Sequence, residues 1–471
     1  MGASRPLSWV ISSWAISLCV ACNSGDEAAE TGPYAAETQA TGWGEDDGGL
    51  DPEAACIVNG ELQRPLWALE SAEHRVVLHQ PGVAPLELAI PEFAGGWSSV
   101  DVSATHVAAA YIADDAIVRL FERTSGELVW ERRYVGSGLG TPFVDDHGRV
   151  LLGYVDYMQM SMALGYEGGL WLREDGDVEL RWVHPVGPVN EDGWAPAFFL
   201  EPDDLSSDQR LTGWGWVAPA TGAKLVLAEE LFSPPGMRIE DDAFEYIDVH
   251  PEHGLRLLHA AFEASRWVPL STAEHAGVVN ASDRWRLLDL RGPDERQSFA
   301  RVSIVDGELL EFEMPTPPAG FEVLGAGCLG PQLGIDARGR VLLAVRDGDA
   351  AWIGAWDPET DEWSLIGLPM IEIDGVDIIG VWGEYVYVAG FTEPSCDSEP
   401  FVDPPDDALI GSGYQLVGVD SGLALPVGQR LAIDDQRVCA TWWTNAARIV
   451  YDLEDGDELE LPSSTQAGWF D

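Results

Sequence analysis

Basic side chains are scarce in this sequence: 26 lysines and arginines stand against 80 aspartates and glutamates, for a net charge of −54 over 471 residues. Lys224 is the only lysine. A surface this negative repels nucleic-acid phosphates, and no basic patch with interleaved aromatics interrupts it, so nucleic acid is excluded as a partner. The charge favours solubility and attracts cationic ligands or metal ions. Long helical periodicity is nearly absent beyond Asp51, which leaves strands as the building material. Beyond the N-terminal apolar stretch, no run is long enough for a transmembrane helix. Motifs of common chemistry are missing too: there is no G-K-[ST] phosphate loop, no H-E-x-x-H and no G-x-S-x-G elbow. Hydrophobic residues make up 46% of the chain, so wholesale disorder is excluded as well.

The N-terminus, MGASRPLSW, carries one positive charge, Arg5, and no acid. VISSWAISLCVA then supplies an apolar run of signal-peptide length, with Ala21 just before Cys22. The arrangement resembles the lipobox of bacterial lipoproteins, in which a dedicated peptidase cuts before a diacylated cysteine. The usual leucine three places before that cysteine is Cys19 here, and Leu18 lies one place further back. The resemblance implies a signal peptide over 1–21, a palmitate-type lipid on Cys22, and attachment to the cell envelope at the outer membrane. The alternative is an ordinary secretory signal cleaved near the same place without a lipid. Residues 22–55 hold acids, Gly, Ala and Thr but no basic residue. Such a segment cannot bury enough surface to offset its chain entropy, and it reads as an acidic, flexible tether.

Export makes disulfides available. With Cys19 in the signal and Cys22 lipidated, Cys56, Cys328, Cys396 and Cys439 remain, which allows three pairings. We expect Cys328–Cys396 and Cys56–Cys439, the latter joining the start of the folded body to its end. No C-x-x-C occurs among them, which argues against zinc and thioredoxin-like chemistry.

Self-similar segments dominate the rest. FVDDHGRVLLGYVD (143–156) and GIDARGRVLLAVRD (334–347) both run strand, acidic turn ending in Gly-Arg, apolar strand. AIDDQRVCATWW (432–443) is a third copy without the glycine. A second plan joins an apolar strand through an acidic or glycine turn to an outgoing strand. It occurs in LFERTSGELVWERRY (120–134), LWLREDGDVELRWVHP (170–185), GAWDPETDEWSLIGLP (354–369) and IVYDLEDGDELELP (449–462). AWDPETDEWSLIGLPM resembles the end of a kelch repeat. GEYVYVAGF resembles the strand carrying the kelch glycine doublet, with Gly390 kept and Phe391 in place of the second glycine. TSGELVW is similar to hairpins of quinoprotein-like propellers. The resemblance implies an all-β fold, a β-propeller of six to eight four-stranded blades over 56–462, with 463–471 as a C-terminal tail. Pro202–Pro318 is the least regular part and reads as a place for inserted loops. A β-sandwich with additions is the structural alternative.

Few residues suggest chemistry. GAGCLG (325–330) matches G-x-G-x-x-G by letter, but Pro331 and a strand follow where dinucleotide binding needs a helix. HPEHGLRLLH brings His250, Glu252, His253 and His259 close in sequence. With the acidic turn Asp347-Gly348-Asp349, His250 and His253 form the candidate metal residues, and calcium is the cofactor such carboxylates suit. Asp145-Asp146, Glu174–Asp177 and Glu454–Asp457 are similar turns, and tight hairpins recruit Asp and Gly for backbone reasons alone. Of 20 tryptophans, Trp214 and Trp216 share a face if GWGWVAP is extended, and they are the candidate exposed platform. No residue is nominated as catalytic. These readings favour a lipid-anchored envelope propeller that acts as a binding or interaction platform for a protein or glycan partner. The alternative is an envelope enzyme (lyase, lactonase or quinoprotein-like oxidoreductase), which requires carboxylates and histidines to converge at one mouth of the channel. A structural envelope component is the third possibility.

Overall fold

Turn clusters recur every ten or so residues because the chain runs as an antiparallel meander, and no described residue lies in a long helix. The computed structural model describes residues 55–470 except 92–97, 157–165, 203–208, 229–237, 251–253, 293–295, 326–331, 372–374, 392–413 and gaps of one or two residues. Strands pair in sequence order into nine sheets, each a blade with strands A to D from the axis outward. The A strands of blades 2 to 6 are Ser98–Val102, Ser137–Val144, Val183–Pro185, Arg238–Glu240 and His275–Ala281. In blade 7 two short segments, Glu322–Val323 and Leu333–Ile335, share that role, both pairing with strand B. Gly375–Trp382 and Gln429–Ile433 open blades 8 and 9. Blade 1 takes strand A from the far end of the chain: Gln466–Trp469 pairs with Leu66–Glu70, so that Leu66 meets Trp469 and Leu69 meets Gln466.

The protein is therefore a β-propeller, with nine blades where six to eight were expected. One further expectation fails. Residues 463–471 are not a tail, because 466–469 close the ring. Pro202–Pro318, the least regular part of the sequence, carries strands of blades 4 to 6. First strands of successive blades start between 37 (Arg238 to His275) and 55 (Val183 to Arg238) residues apart. The shorter intervals leave room for more blades than the hairpins visible in the sequence implied.

Side chains in a strand alternate between its two faces, and here both faces are buried. In blade 2, Val107, Ala109 and Tyr111 pack against blade 1 while Ala108 and Ala110 pack against blade 3. The same division repeats around the ring and gives one apolar cluster per seam, nine in all. This is why strands B and C read as unbroken apolar runs such as HVAAAYI and VLLAV, without polar alternation.

The two repeated sequence plans are two kinds of hairpin. Copies at 143–156, 334–347 and 432–443 are the A–B connections of blades 3, 7 and 9. The four copies of the second plan are C–D hairpins of blades 2, 3, 7 and 9. The C–D turn closes through an N–H to carbonyl bond four residues back, at Gly126, Gly222, Gly307, Asp361, Gly422 and Gly456. Each of these residues has φ between 59° and 79°, the left-handed region where glycine costs least. Asp361 takes that place in blade 7 while its carboxylate accepts the Trp356 indole N–H at 2.8 Å.

Before blade 1, Ile57–Val58 and Glu61–Leu62 form a small hairpin around Asn59-Gly60, both at positive φ, as a two-residue primed turn requires. The Cys56–Cys439 disulfide is present and fastens this hairpin to strand B of blade 9. Buried Asp452 in the neighbouring strand accepts the Cys56 N–H at 2.7 Å. Cys328 and Cys396 lie outside the described residues.

Candidate functional site

The A–B turns carry the Asp-x-x-Gly-Arg copies, and their geometry shows what the acid does. Asp145 Oδ1 accepts the N–H groups of His147 and Arg149, and Arg149 Nε donates to Oδ2 at 2.6 Å. Asp336 repeats the set with Arg338 and Arg340. Asp434 accepts from Val438 and Cys439 at 2.8 Å. Gly148 and Gly339 supply the left-handed residue of this turn, and Arg437 at φ 60° fills it in blade 9, where the sequence has no glycine. These aspartates are turn caps, as the chemistry of tight turns leads one to expect.

Neighbouring A–B turns are also tied to each other. Asp146 Oδ1 accepts the Ala104 N–H at 2.9 Å, and Thr105 Oγ1 donates to the Asp146 carbonyl at 2.7 Å. Along the axis, polar side chains of one A strand or its approach bond the next. Asp101 accepts from Val144 N at 2.6 Å, Asn280 from Ile335 N at 3.3 Å, and Gln332 from Ile378 N at 3.1 Å. Burial pushes the Asp101 carboxyl above its ordinary range, against the bonds from Val144 and Val102.

On this A–B side a cavity of about 800 Å³ opens where blades 9, 1, 2, 3 and 4 converge. Its volume is that of a small-ligand site. Trp67, Phe143, Trp469 and Phe470 give it aromatic walls, and Asp101, Asp145, Asp146 and Asp434 bring carboxylates. Among the described residues that line it, Arg64 is the one cationic side chain, 3.9 Å from Asp434. Ring closure builds part of the wall. Trp67 stands opposite Gly468 across the closing pair, and its indole occupies the space that a Cβ on Gly468 would need. The Trp469 indole N–H donates to the Ala432 carbonyl in blade 9.

The residues singled out in the sequence sit elsewhere. Trp214 and Trp216 do share a face, but they are no exposed platform: each is 1% exposed. They fill the seam between blades 4 and 5 against Phe244 and Tyr246, with Trp214 and Tyr246 centroids 4.4 Å apart. Gly215 between them sits at φ 157° in a bulge, and a Cβ there would lie 2.1 Å from the Leu225 carbonyl oxygen. Asp347 and Asp349 are exposed on the B–C hairpin of blade 7. His250 ends strand B of blade 5 and pairs with Gly254 of strand C. Both positions belong to B–C hairpins, on the side of the ring opposite the A–B turns. His253 lies outside the described residues, and so does Cys22. Among the described residues no three His, Cys, Asp or Glu side chains gather as a metal site.

His259, the fourth member of the histidine stretch, has a defined role. Its Nδ1–H donates to Glu245 Oε1 at 2.8 Å, and Arg286 of blade 6 grips the same carboxylate at 2.5 and 2.7 Å. Glu245 is 1% and Arg286 0% exposed. Burial alone would raise the Glu245 pKa, but the bonds from His259 and Arg286 outweigh it and hold the group at about 2.

No family model matches this chain, and no curated protein matches it. Solved structures do. The chain is similar to a dihydro-heme d1 dehydrogenase at 14% identity, covering 88% of this chain and 76% of that one, with a TM-score of 0.36. It is similar to the acylaminoacyl peptidase of Pyrococcus horikoshii at 9% identity, covering 76% and 58%, with a TM-score of 0.29. The β-propeller domain of the Trilobed protease from Pyrococcus furiosus is similar at 10% identity, covering 68% and 93%, with a TM-score of 0.29. At these values the likenesses say nothing about what this chain binds.

Proposed function

We propose that this protein is a binding propeller, held at the cell envelope by a lipid on Cys22, which engages a protein or glycan partner through the cavity on its A–B side. The observation that carries the reading is the cavity itself. Five blades contribute to one concave mouth with aromatic walls and carboxylates, and rigid seams hold every contributing turn. A preorganised concave site of this kind suits recognition. His259 of blade 5 is not among the described residues that line it.

The binding half of the reading is tested on arrays of envelope glycans and peptides, comparing the parent with Ala104→Trp. Ala104 is exposed on the cavity wall and its backbone N–H bond survives the substitution. The parent should retain a defined set of probes and the plugged variant should lose it; equal retention by both would place binding elsewhere. The anchor is tested by the mass of the N-terminal peptide from membrane fractions. A peptide that begins at Cys22 and carries acyl chains is expected. A free amino terminus near Cys22, on protein found in the medium, would remove the anchor and leave the binding site standing.

A further inference from the structure

Building on the reading of this cavity as a binding site, we infer that its ligand is an organic cation, an alkylammonium or guanidinium group. Of the four aspartates on its wall, Asp434 lies beside Arg64 and Asp145 is paired with Arg149, so Asp101 and Asp146 are the two that face no cation among the described residues. The wall is thus net negative before any ligand arrives. Asp101 and Asp146 hold their positions by accepting backbone N–H groups, at 2.6 and 2.9 Å. An amide N–H satisfies a lone pair but cancels no charge, so a ligand cation has an unneutralised partner in each.

Aromatic walls decide which cation. A hydrated metal ion needs about six to eight oxygen ligands and gains nothing from indole or phenyl faces. An alkylammonium or guanidinium gains on both sides, because its charge is attracted to ring faces and its stem covers apolar surface. Trp67, Phe143 and Trp469 line the cavity together with the carboxylates. The overall charge of −54 adds a long-range field that draws cations toward the molecule. Such a group is supplied either by a basic side chain of a peptide or by a free polyamine.

Isothermal titration of the full chain distinguishes these sources, with arginine amide, spermidine and an Arg/Lys peptide as probes and citrulline amide as the neutral control. We expect binding of the cations and not of citrulline amide. Asp101→Asn with Asp146→Asn keeps both hydrogen-bond acceptors and removes two charges, and it should weaken binding tenfold or more. Melting temperature checks that this variant is folded. Asp347→Asn with Asp349→Asn, on the exposed hairpin of blade 7, should leave affinity unchanged; an equal loss there would mean diffuse counterion attraction and overturn the inference. Peptide binding alone assigns the cation to a protein partner, and binding of spermidine as well assigns it to a free amine. If neutral glycans bind in an Ala104→Trp-sensitive manner while no cation does, the cation inference falls and the binding site remains. If no probe binds, both fall.

Discussion

A chain ending at residue 462 should not form the native ring. It lacks 466–469, the whole A strand of blade 1, and leaves Leu66–Glu70 as an unpaired edge beside the axis. Ala467 and Trp469 leave the blade 9–blade 1 cluster, and the Gln466 bond to the Ser98 carbonyl goes with them. Exposed strand edges recruit other chains. The expected result is a loss of several kcal/mol, a large share of the about 5–15 kcal/mol that holds a typical fold, together with self-association. Size-exclusion chromatography and a thermal melt monitored by circular dichroism read both. A monomeric variant that melts with the parent would show that closure contributes little.

Glu245→Ala should be the most damaging single substitution at a seam. It leaves Arg286, fully buried, with its main anionic partner gone. Breaking a buried ion pair from one side costs about 3–5 kcal/mol, and urea unfolding measures it; a loss below about 1 kcal/mol would show that the pair is relaxed or hydrated. The same triad sets a pH dependence. The Glu245 carboxyl is held at about 2 in the fold and lies near 4.5 in its ordinary state. A depressed carboxylate contributes its stability fully above the ordinary value. That contribution, on the order of 3 kcal/mol, is lost as pH falls from near 4.5 toward 2. Glu245→Gln should flatten this part of the acid unfolding curve, and an unchanged curve would assign acid sensitivity to other carboxylates.

The propeller was legible in hairpin chemistry, and so were Cys56 and Cys439 as partners. Three of the C–D turns missed in the sequence were readable. PATGAKLVL, IVDGELLEF and VDSGLALPV place Thr-Gly, Asp-Gly and Ser-Gly where TSGELVW has its turn, and Gly222, Gly307 and Gly422 make the same closing bond as Gly126. Counting them brings blades 4, 6 and 8 into view. Blade 5 was harder, because its C–D connection, Ala261 to Ala264, contains no glycine. Trp214 and Trp216 misled because a two-residue period tells which side chains share a face, not whether a neighbouring blade covers it. The cavity was beyond reach for a similar reason. Arg64, Asp101, Asp146 and Trp469 lie in unrelated stretches of sequence, and only closure of the ring brings them to one mouth.

The disulfide makes that closure a matter of topology as well as of pairing. Cys56 and Cys439 are separated by 383 residues, so their bond encloses almost the whole propeller in one covalent loop. In the chain-entropy account a loop of this size restrains the unfolded chain by about 6 kcal/mol. The strand that completes blade 1 follows every other strand in chain order. A growing chain therefore carries an open blade until residues 466–469 arrive, although both cysteines of the covalent loop precede them. Once formed, the bond ties the Cys56 hairpin to blade 9, so the seam between blades 9 and 1 can part only as far as that hairpin allows, even where the closing strand has let go.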